Sequence, residues 1–553
     1  MKWLLRQDEK NFYSYNDSSQ IKLNEDKAQK YSNYSKLMNS KVKLSIKNIF
    51  LLYLLIILIV PHSSFKKEEC LQSHSGQIDL KILGTGNQYI IGDNYGDYFP
   101  SIVYLNGQEL TSYDSNYNYI YINPSVVSQT TNTITLEWDD YDYPNSLHGI
   151  FAFLTNVIEV DFSNFDISSI TDTGDMLYGC TSVKSIKFPN IRTTSLTTMV
   201  SMFYNCSSLV EIDLSSFDTS HVNNMSFAFY GCENLKSLNM LSFDTSEVLD
   251  MQCMFYRLHS IENIELSNFD TSKVTDMSFM FYECKNITSL DLSVFKTSSV
   301  VDMSVMFYEC NSLKSLNLTN FDTSQVTDMG HMFRGCKSMT SIDISSFDTS
   351  NVEGMGYCFC QCNSLTSLDL KNFDTSNVRD MESMFEECLS LTSLNLSNFK
   401  TENVEVMTYM FYDCENLVTL DMSSFNTEKV QDMDYMFSYC YALSSLDLSN
   451  FYTPELVTMN KLFYGCFSLT SLDITHFNTE NVENMNNIFY YCSSLLSLDL
   501  SNFKTDNAKN MDNMFAFCSK LTSLDLTNFE TSQVTSMQNM FYQCENMEKL
   551  NIL

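Results

Sequence analysis

Hydrophobic and polar positions recur along this chain with a period of 26 residues. The stretch 313–336 reads L-K-S-L-N-L-T-N-F-D-T-S-Q-V-T-D-M-G-H-M-F-R-G-C. Phe321 returns as Phe295, Phe269, Phe243 and Phe217 upstream, and as Phe347, Phe373, Phe399, Phe425, Phe451, Phe477, Phe503 and Phe529 downstream. Cys336 returns with the same step, from Cys284 to Cys544, without an insertion or deletion. A fixed period of this length predicts a solenoid, in which each unit buries its apolar face only against its neighbours.

Within one unit the pattern changes its own period. Leu313, Leu316 and Leu318 fit L-x-x-L-x-L. The alternation of Leu316 and Leu318 around Asn317 predicts a short strand, with the leucines inward and Asn317 outward. Val326, Met329, Met332, Phe333 and Cys336 then follow at helical spacing, which predicts a helix of roughly three turns. Thr323 sits at the switch and recurs from Thr193 to Thr531; the next position takes mostly Ser, and in later copies also Glu, Asp or Pro. Those types favour a first helical turn, so the expectation is Thr323 as N-cap and Ser324 as first helical residue. The expected fold class is an α/β repeat: a leucine-rich-repeat-like solenoid of about fifteen strand–helix units over residues 156–553. Residues 70–150 lack the 26-residue phase. Their alternating runs, at 77–83, 88–91, 102–105, 119–122 and 133–138, predict a small β-rich module that caps the solenoid's N-terminal end.

The N-terminal part differs in kind. Residues 1–48 are polar, and their composition predicts disorder. The apolar run 49–60, I-F-L-L-Y-L-L-I-I-L-I-V, is preceded by Lys36, Lys41, Lys43 and Lys47. At twelve residues it is short for a spanning helix, which needs about 20. Residues 49–65 therefore read either as a signal peptide, with Met38 as the true start, or as a signal anchor with a cytoplasmic N-terminus. Either way the expected location of the repeats is the cell surface or the medium.

Composition then narrows the chemistry. Asp+Glu number 67 against Lys+Arg 33, a net charge of −34. Such a body is not expected to bind nucleic acid. The recurring Cys slot accepts Leu258 once and is flanked by Met and Phe, so inert core thiols are expected, with a disulfide ladder as the alternative. Cys358-Phe359-Cys360-Gln361-Cys362 looks like a metal cluster, yet Cys358 only takes the place of the usual Met. The seven His are scattered and no phosphate-cradling Gly loop is present, so an enzyme is not expected. One outward strand column is acidic or amide: Asp291, Asn317, Asp343, Asp369, Asn395, Asp421, Asp447, Asp473, Asp499 and Asp525, with a parallel Ser column two residues earlier. This strip is the candidate ligand-binding surface, since solenoids use their concave sheet for partners. Solvated negative charge without a ligand is the plain alternative. No cofactor is expected; calcium on the same carboxylates is a further alternative. Sequons occur at Asn205, Asn224, Asn286, Asn317 and Asn395.

The repeat L-x-S-L-D-L-S-x-F-D-T-S-x-V-x-x-M-x-x-M-F-x-x-C resembles the BspA-like leucine-rich repeat of surface proteins, a 26-residue type also found in mycoplasma lipoproteins. The resemblance covers roughly residues 165–553. It implies a surface-exposed or secreted, non-catalytic adhesion protein binding a protein or glycan. A coat or spacer without a ligand and a calcium-binding acidic array are the alternatives. No catalytic motif comes with the resemblance, and neither a lipobox Cys after the apolar run nor a cell-wall sorting signal is present.

Overall fold

The computed structural model describes residues 76–552 apart from 85–87, 93–98, 112–119, 123–129 and 140–142. The segments 1–48 and 49–65 lie outside the described residues. Among the described residues no helix is long and apolar enough to cross a membrane.

From Ser146 to Ser536 the chain winds as a continuous solenoid. Fifteen successive parallel bridges, Ser146–Asp172 through Asn510–Ser536, join each residue of one column to its equivalent 26 positions on. Short strands lie beside this bridge column: β7 (Val157–Asn164), β8 (Ser185–Lys187), β9 (Glu211–Asp213), β10 (Ser237–Asn239), β11 (Ser289–Asp291), β12 (Ser315–Asn317), β13 (Ser393–Asn395), β14 (Thr419–Asp421), β15 (Ser523–Asp525) and β16 (Lys549–Asn551). They pair in parallel and in register, as with Ser289–Ser315, Leu290–Leu316 and Asp291–Asn317. Before them, β1 (Gly76–Leu83), β3 (Ile102–Leu105), β4 (Gln108–Glu109) and β6 (Thr131–Trp138) form one antiparallel sheet, and β2 (Gln88–Ile91) pairs with β5 (Ile120–Ile122). β1 also pairs antiparallel with β7, so the order β4-β3-β6-β1-β7-β8 covers the outer edge of the first solenoid strand. A covered edge cannot pair with another chain.

The expected helix does not form, and the α/β description is corrected accordingly. In its place each rung carries a ribbon of overlapping turns. Met332, Arg334 and Cys336 donate their amides to the carbonyls of Met329, His331 and Phe333, three residues back. The intervening amides of Met329, His331, Phe333 and Gly335 donate instead to Gly354, Gly356, Cys358 and Cys360 of the next rung, at 2.8–3.0 Å. A helix would direct every amide four residues back and leave nothing for the neighbour. Two residues per rung, His331 (φ 57°) and Gly335 (φ 76°), take left-handed backbone. Positive φ at the second central residue is what a type II turn requires. Turns repeating at this pitch bury the same positions as a helix would, which is why the spacing of Val, Met, Phe and Cys misleads.

The core follows from this register. Phe333 stacks on Phe307 and Phe359 with ring centroids 5.7 and 5.5 Å apart. The second column places Phe295 and Phe347 at 6.5 and 6.4 Å from Phe321. Val326, Met329, Met332 and Cys336 are all buried. Burying each such side chain contributes about 1.5–3 kcal/mol, and the sum recurs with every rung. Where Ile191 replaces the column's Phe, Phe188 sets its ring 4.9 Å from Phe217 and 5.2 Å from Phe162 instead.

Candidate interaction face

The outward strand column is built by the alternation read from the sequence. Leu290 and Leu316 are buried, whereas Ser289, Asp291 and Ser315 are exposed and Asn317 is partly so. The remaining members, Asp343, Asp369, Asn395, Asp421, Asp447, Asp473, Asp499 and Asp525, are exposed as well. The parallel register stacks them one per rung, as in Asp291–Asn317 and Asn395–Asp421.

Each of these side chains also does local work. Asp291 accepts the amide of Ser293 at 3.1 Å, Asp343 that of Ser345 at 3.0 Å, Asp447 that of Ser449 at 3.0 Å and Asp525 that of Thr527 at 3.0 Å. Asn395 does the same for Ser397 at 2.9 Å. The carboxylate thus closes the turn that ends the strand. The hydroxyl and amide of Ser293 hold the Asp291 carboxyl below its ordinary value, and those of Ser345 do so for Asp343. In Asp447 the Ser449 amide is the larger cause, and the nearby Asp473 opposes it.

Strand pairing is present at some rungs and absent at others. Strands pair where Asp213 meets Asn239, Asp291 meets Asn317, Asn395 meets Asp421 and Asp525 meets Asn551. In three of these the amide bridges the gap: Asn239 to Asp213 at 2.9 Å, Asn317 to Asp291 at 3.0 Å and Asn551 to Asp525 at 3.0 Å. The described residues contain no paired strands where Asp meets Asp, as at Asp343–Asp369 and along Asp421, Asp447, Asp473, Asp499 and Asp525, nor at the amide–carboxylate junctions Asn317–Asp343 and Asp369–Asn395, so charge alone does not set where strands pair. Like charges directly opposite destabilise a ladder.

The Thr column has another role than capping. Thr323 is fully buried; its Oγ1 donates to the Asp348 carbonyl at 2.7 Å and accepts the Asp348 amide at 2.8 Å, both in the next rung. The acceptor for the Ser324 amide is Asp322 instead, at 3.0 Å. The Cys column consists of free thiols, and all its described members are buried except the half-buried Cys544. Cys336 Sγ lies 3.3 Å from the Phe307 carbonyl, and burial pushes its pKa well up. Cys358, Cys360 and Cys362 are likewise free and buried, and no metal-binding group of His, Cys, Asp and Glu occurs among the described residues.

A second periodic surface was present in the sequence but not singled out there. Tyr178, Tyr204, Tyr230, Tyr256, Tyr282 and Tyr308 stand two residues before the Cys slot. Their rings stack at 4.1–4.7 Å, within 7° of parallel. Burial pushes the Tyr178 and Tyr204 phenols up to about 12. Arg334, Cys360 and Glu386 interrupt the column; Arg334 lies over the rings of Tyr308 and Tyr357, at 5.5 and 4.8 Å.

No curated protein matches the chain. Among solved structures it is similar to a leucine-rich repeat protein from Eubacterium ventriosum, at 16% identity and a TM-score of 0.29, over 53% of this chain and 85% of that one. It is also similar to the TLR13–ssRNA13 complex, at 15% identity and a TM-score of 0.18, over 73% of this chain and 74% of that one. A family profile matches five overlapping segments, 145–261, 224–340, 312–417, 391–491 and 457–552. These segments span the whole solenoid, and the chain belongs to the family described as "Mycoplasma protein of unknown function, DUF285".

Proposed function

We propose that this chain is a non-catalytic interaction protein, exposed at the cell surface or secreted, that binds a protein or glycan partner on the face carrying the Asx and Ser strand columns. The observation that carries this reading is the uninterrupted outward row from Asp291 to Asp525. Hydroxyls and carboxylates repeat there on a backbone fixed rung to rung, the arrangement with which solenoids present extended binding surfaces. The net charge of −34 favours a partner with cationic or hydroxyl-rich contacts over nucleic acid. The apolar run 49–60 with its preceding lysines supports export of the repeats.

The test is a glycan and extracellular-protein array, followed by the same array with Asp447, Asp473, Asp499 and Asp525 all changed to Asn. Asn retains the turn-closing oxygen, as Asn395 shows, so the fold persists. Weakened binding supports the reading and unchanged binding refutes it. One observation favours a second reading, a structural spacer without a ligand: each of these carboxylates already closes a turn of its own rung. Arrays blank for the unaltered chain would favour the spacer.

A further inference from the structure

The residue before the recurrent Phe is Asn or Ser in most copies, Ser242, Asn268, Asn320, Asn398 and Ser424 among them. Its side chain reaches back one rung to a Phe carbonyl. Ser242 donates to Phe217 at 2.9 Å, Asn268 to Phe243 at 2.6 Å, Asn398 to Phe373 at 2.9 Å and Ser424 to Phe399 at 2.7 Å. Val294 breaks this column. It carries no donor, and no hydrogen bond of the described residues reaches the Phe269 carbonyl. In the next rung Asn320 donates to the Ser293 carbonyl and leaves that of Phe295 open as well. Asn268 Oδ1, one rung before Val294, is buried without a partner. Buried polar atoms are otherwise partnered almost throughout folded proteins.

A groove of about 680 Å³ opens at this break, within the range of about 300–1,000 Å³ typical of small-ligand sites. Asn268, Val294 and Asn320 line it in one column, and Asp270, Lys296 and Asp322 in another. The buried Phe269 and Phe295 lie between the two columns. Lys296 Nζ donates to Asp270 at 3.0 Å. The amide of Ser272, with Lys296 adding, draws the Asp270 carboxyl down to about 2. The Ser324 hydroxyl and amide lower that of Asp322. Open carbonyls, ionised carboxylates and one ammonium thus surround Val294, which is 38% exposed. A cationic peptide would meet the Lys296 ammonium as a like charge. A ring bearing hydroxyls meets no such conflict: each hydroxyl donates to one group and accepts from another, and its C–H face packs on Val294.

We propose that the groove around Val294 is a saccharide-binding site, in which the Phe269 carbonyl and the Asp322 carboxylate accept sugar hydroxyls and Lys296 donates to one. It is a second surface beside the strand columns and does not depend on what they bind.

The test is saturation-transfer NMR on the full chain with maltose, cellobiose, lactose and chitobiose, and with trilysine as the cationic alternative. The expected result is transfer to at least one disaccharide. Val294→Asn gives the Phe269 carbonyl the donor that Asn268 gives Phe243, so the melting temperature is expected to hold or rise. The same change weakens the sugar by about tenfold or more. Asp322→Asn keeps the turn-closing oxygen, as Asn426 and Asn478 do in the same column, and also weakens the sugar. Asp447→Asn on the strand face leaves the affinity unchanged. No transfer to any of the four disaccharides, transfer to trilysine alone, or equal affinity in Val294→Asn and the native chain would overturn the proposal.

Discussion

A buried hydroxyl that donates and accepts across a gap ties two rungs together, where a helix cap would tie only one end of one element. Thr323 does this for Asp348, and Thr271, Thr297, Thr349 and Thr375 do it for their own neighbours. Thr323→Val keeps the volume but strands the Asp348 amide. The expected loss is about 1–3 kcal/mol, read as a lower melting temperature, whereas Ser324→Ala changes little. Similar melting temperatures for the two variants would restore the capping role. Charge acts at the same scale. Burial, against the helpful amide of Gln252 and with Asp276 adding, lifts Asp250 to about 6. Its pKa is thus higher folded than unfolded, so ionisation at neutral pH costs stability that is recovered as pH falls through 6 toward the unfolded value. Between pH 7 and pH 5 the native chain should therefore gain about 1 kcal/mol over Asp250→Asn. The strand carboxylates act in the opposite sense: the lowered pKa of Asp291 and Asp343 contributes stability above about pH 4 that is lost below it. A thermal scan at several pH values checks both signs, and an Asp250→Asn curve parallel to that of the native chain would contradict the first.

At the scale of the element, the strand was legible and the turn ribbon was not. Leu316 and Leu318 about Asn317 announce a two-residue period, and no competing structure fits it. Val326, Met329, Met332 and Cys336 announce only which positions are inside, and a ladder of turns shares that list with a helix. The discriminating signal lay in the residue before Cys. Gly179, Gly231, Gly335 and Gly465 hold that slot in four rungs, and all have positive φ. Recurrent glycine inside a supposed helix marks left-handed backbone. Gln361 occupies the same slot at φ 59°. Gln361→Gly relieves a cost of about 1 kcal/mol and should raise the melting temperature; in a helix the same change would lower it by a similar amount. The candidate strip was legible because outward carboxylates recur in phase, but its role in closing turns was not, since the partner is a backbone amide that every sequence possesses. Repulsion along the strip gives a further expectation. Asp473→Asn together with Asp499→Asn replaces three Asp–Asp junctions, leaving Asp–Asn at 447–473 and 499–525 and Asn–Asn at 473–499. Each relieved junction should contribute about 0.2–1 kcal/mol, more at low salt than at high; melting temperatures unmoved at either ionic strength would count against it.

Over the whole solenoid, stability accumulates from identical interfaces, because every rung meets its neighbours through the same Phe, Met, Thr and Cys columns. The antiparallel pairing of β1 with β7 closes one edge of that stack. The interior is apolar and its thiols are pushed far from reactivity by burial, so the outward columns are what the solenoid offers to solvent. The account rests most heavily on the rung being a ladder of turns in register rather than a strand joined to a helix. Far-ultraviolet circular dichroism of residues 76–553 tests this directly. The expected spectrum is that of sheet and turns without the double minimum of an α-helix. A strong helical signal, as a helix over Val326–Cys336 and its equivalents in every unit would give, would contradict it.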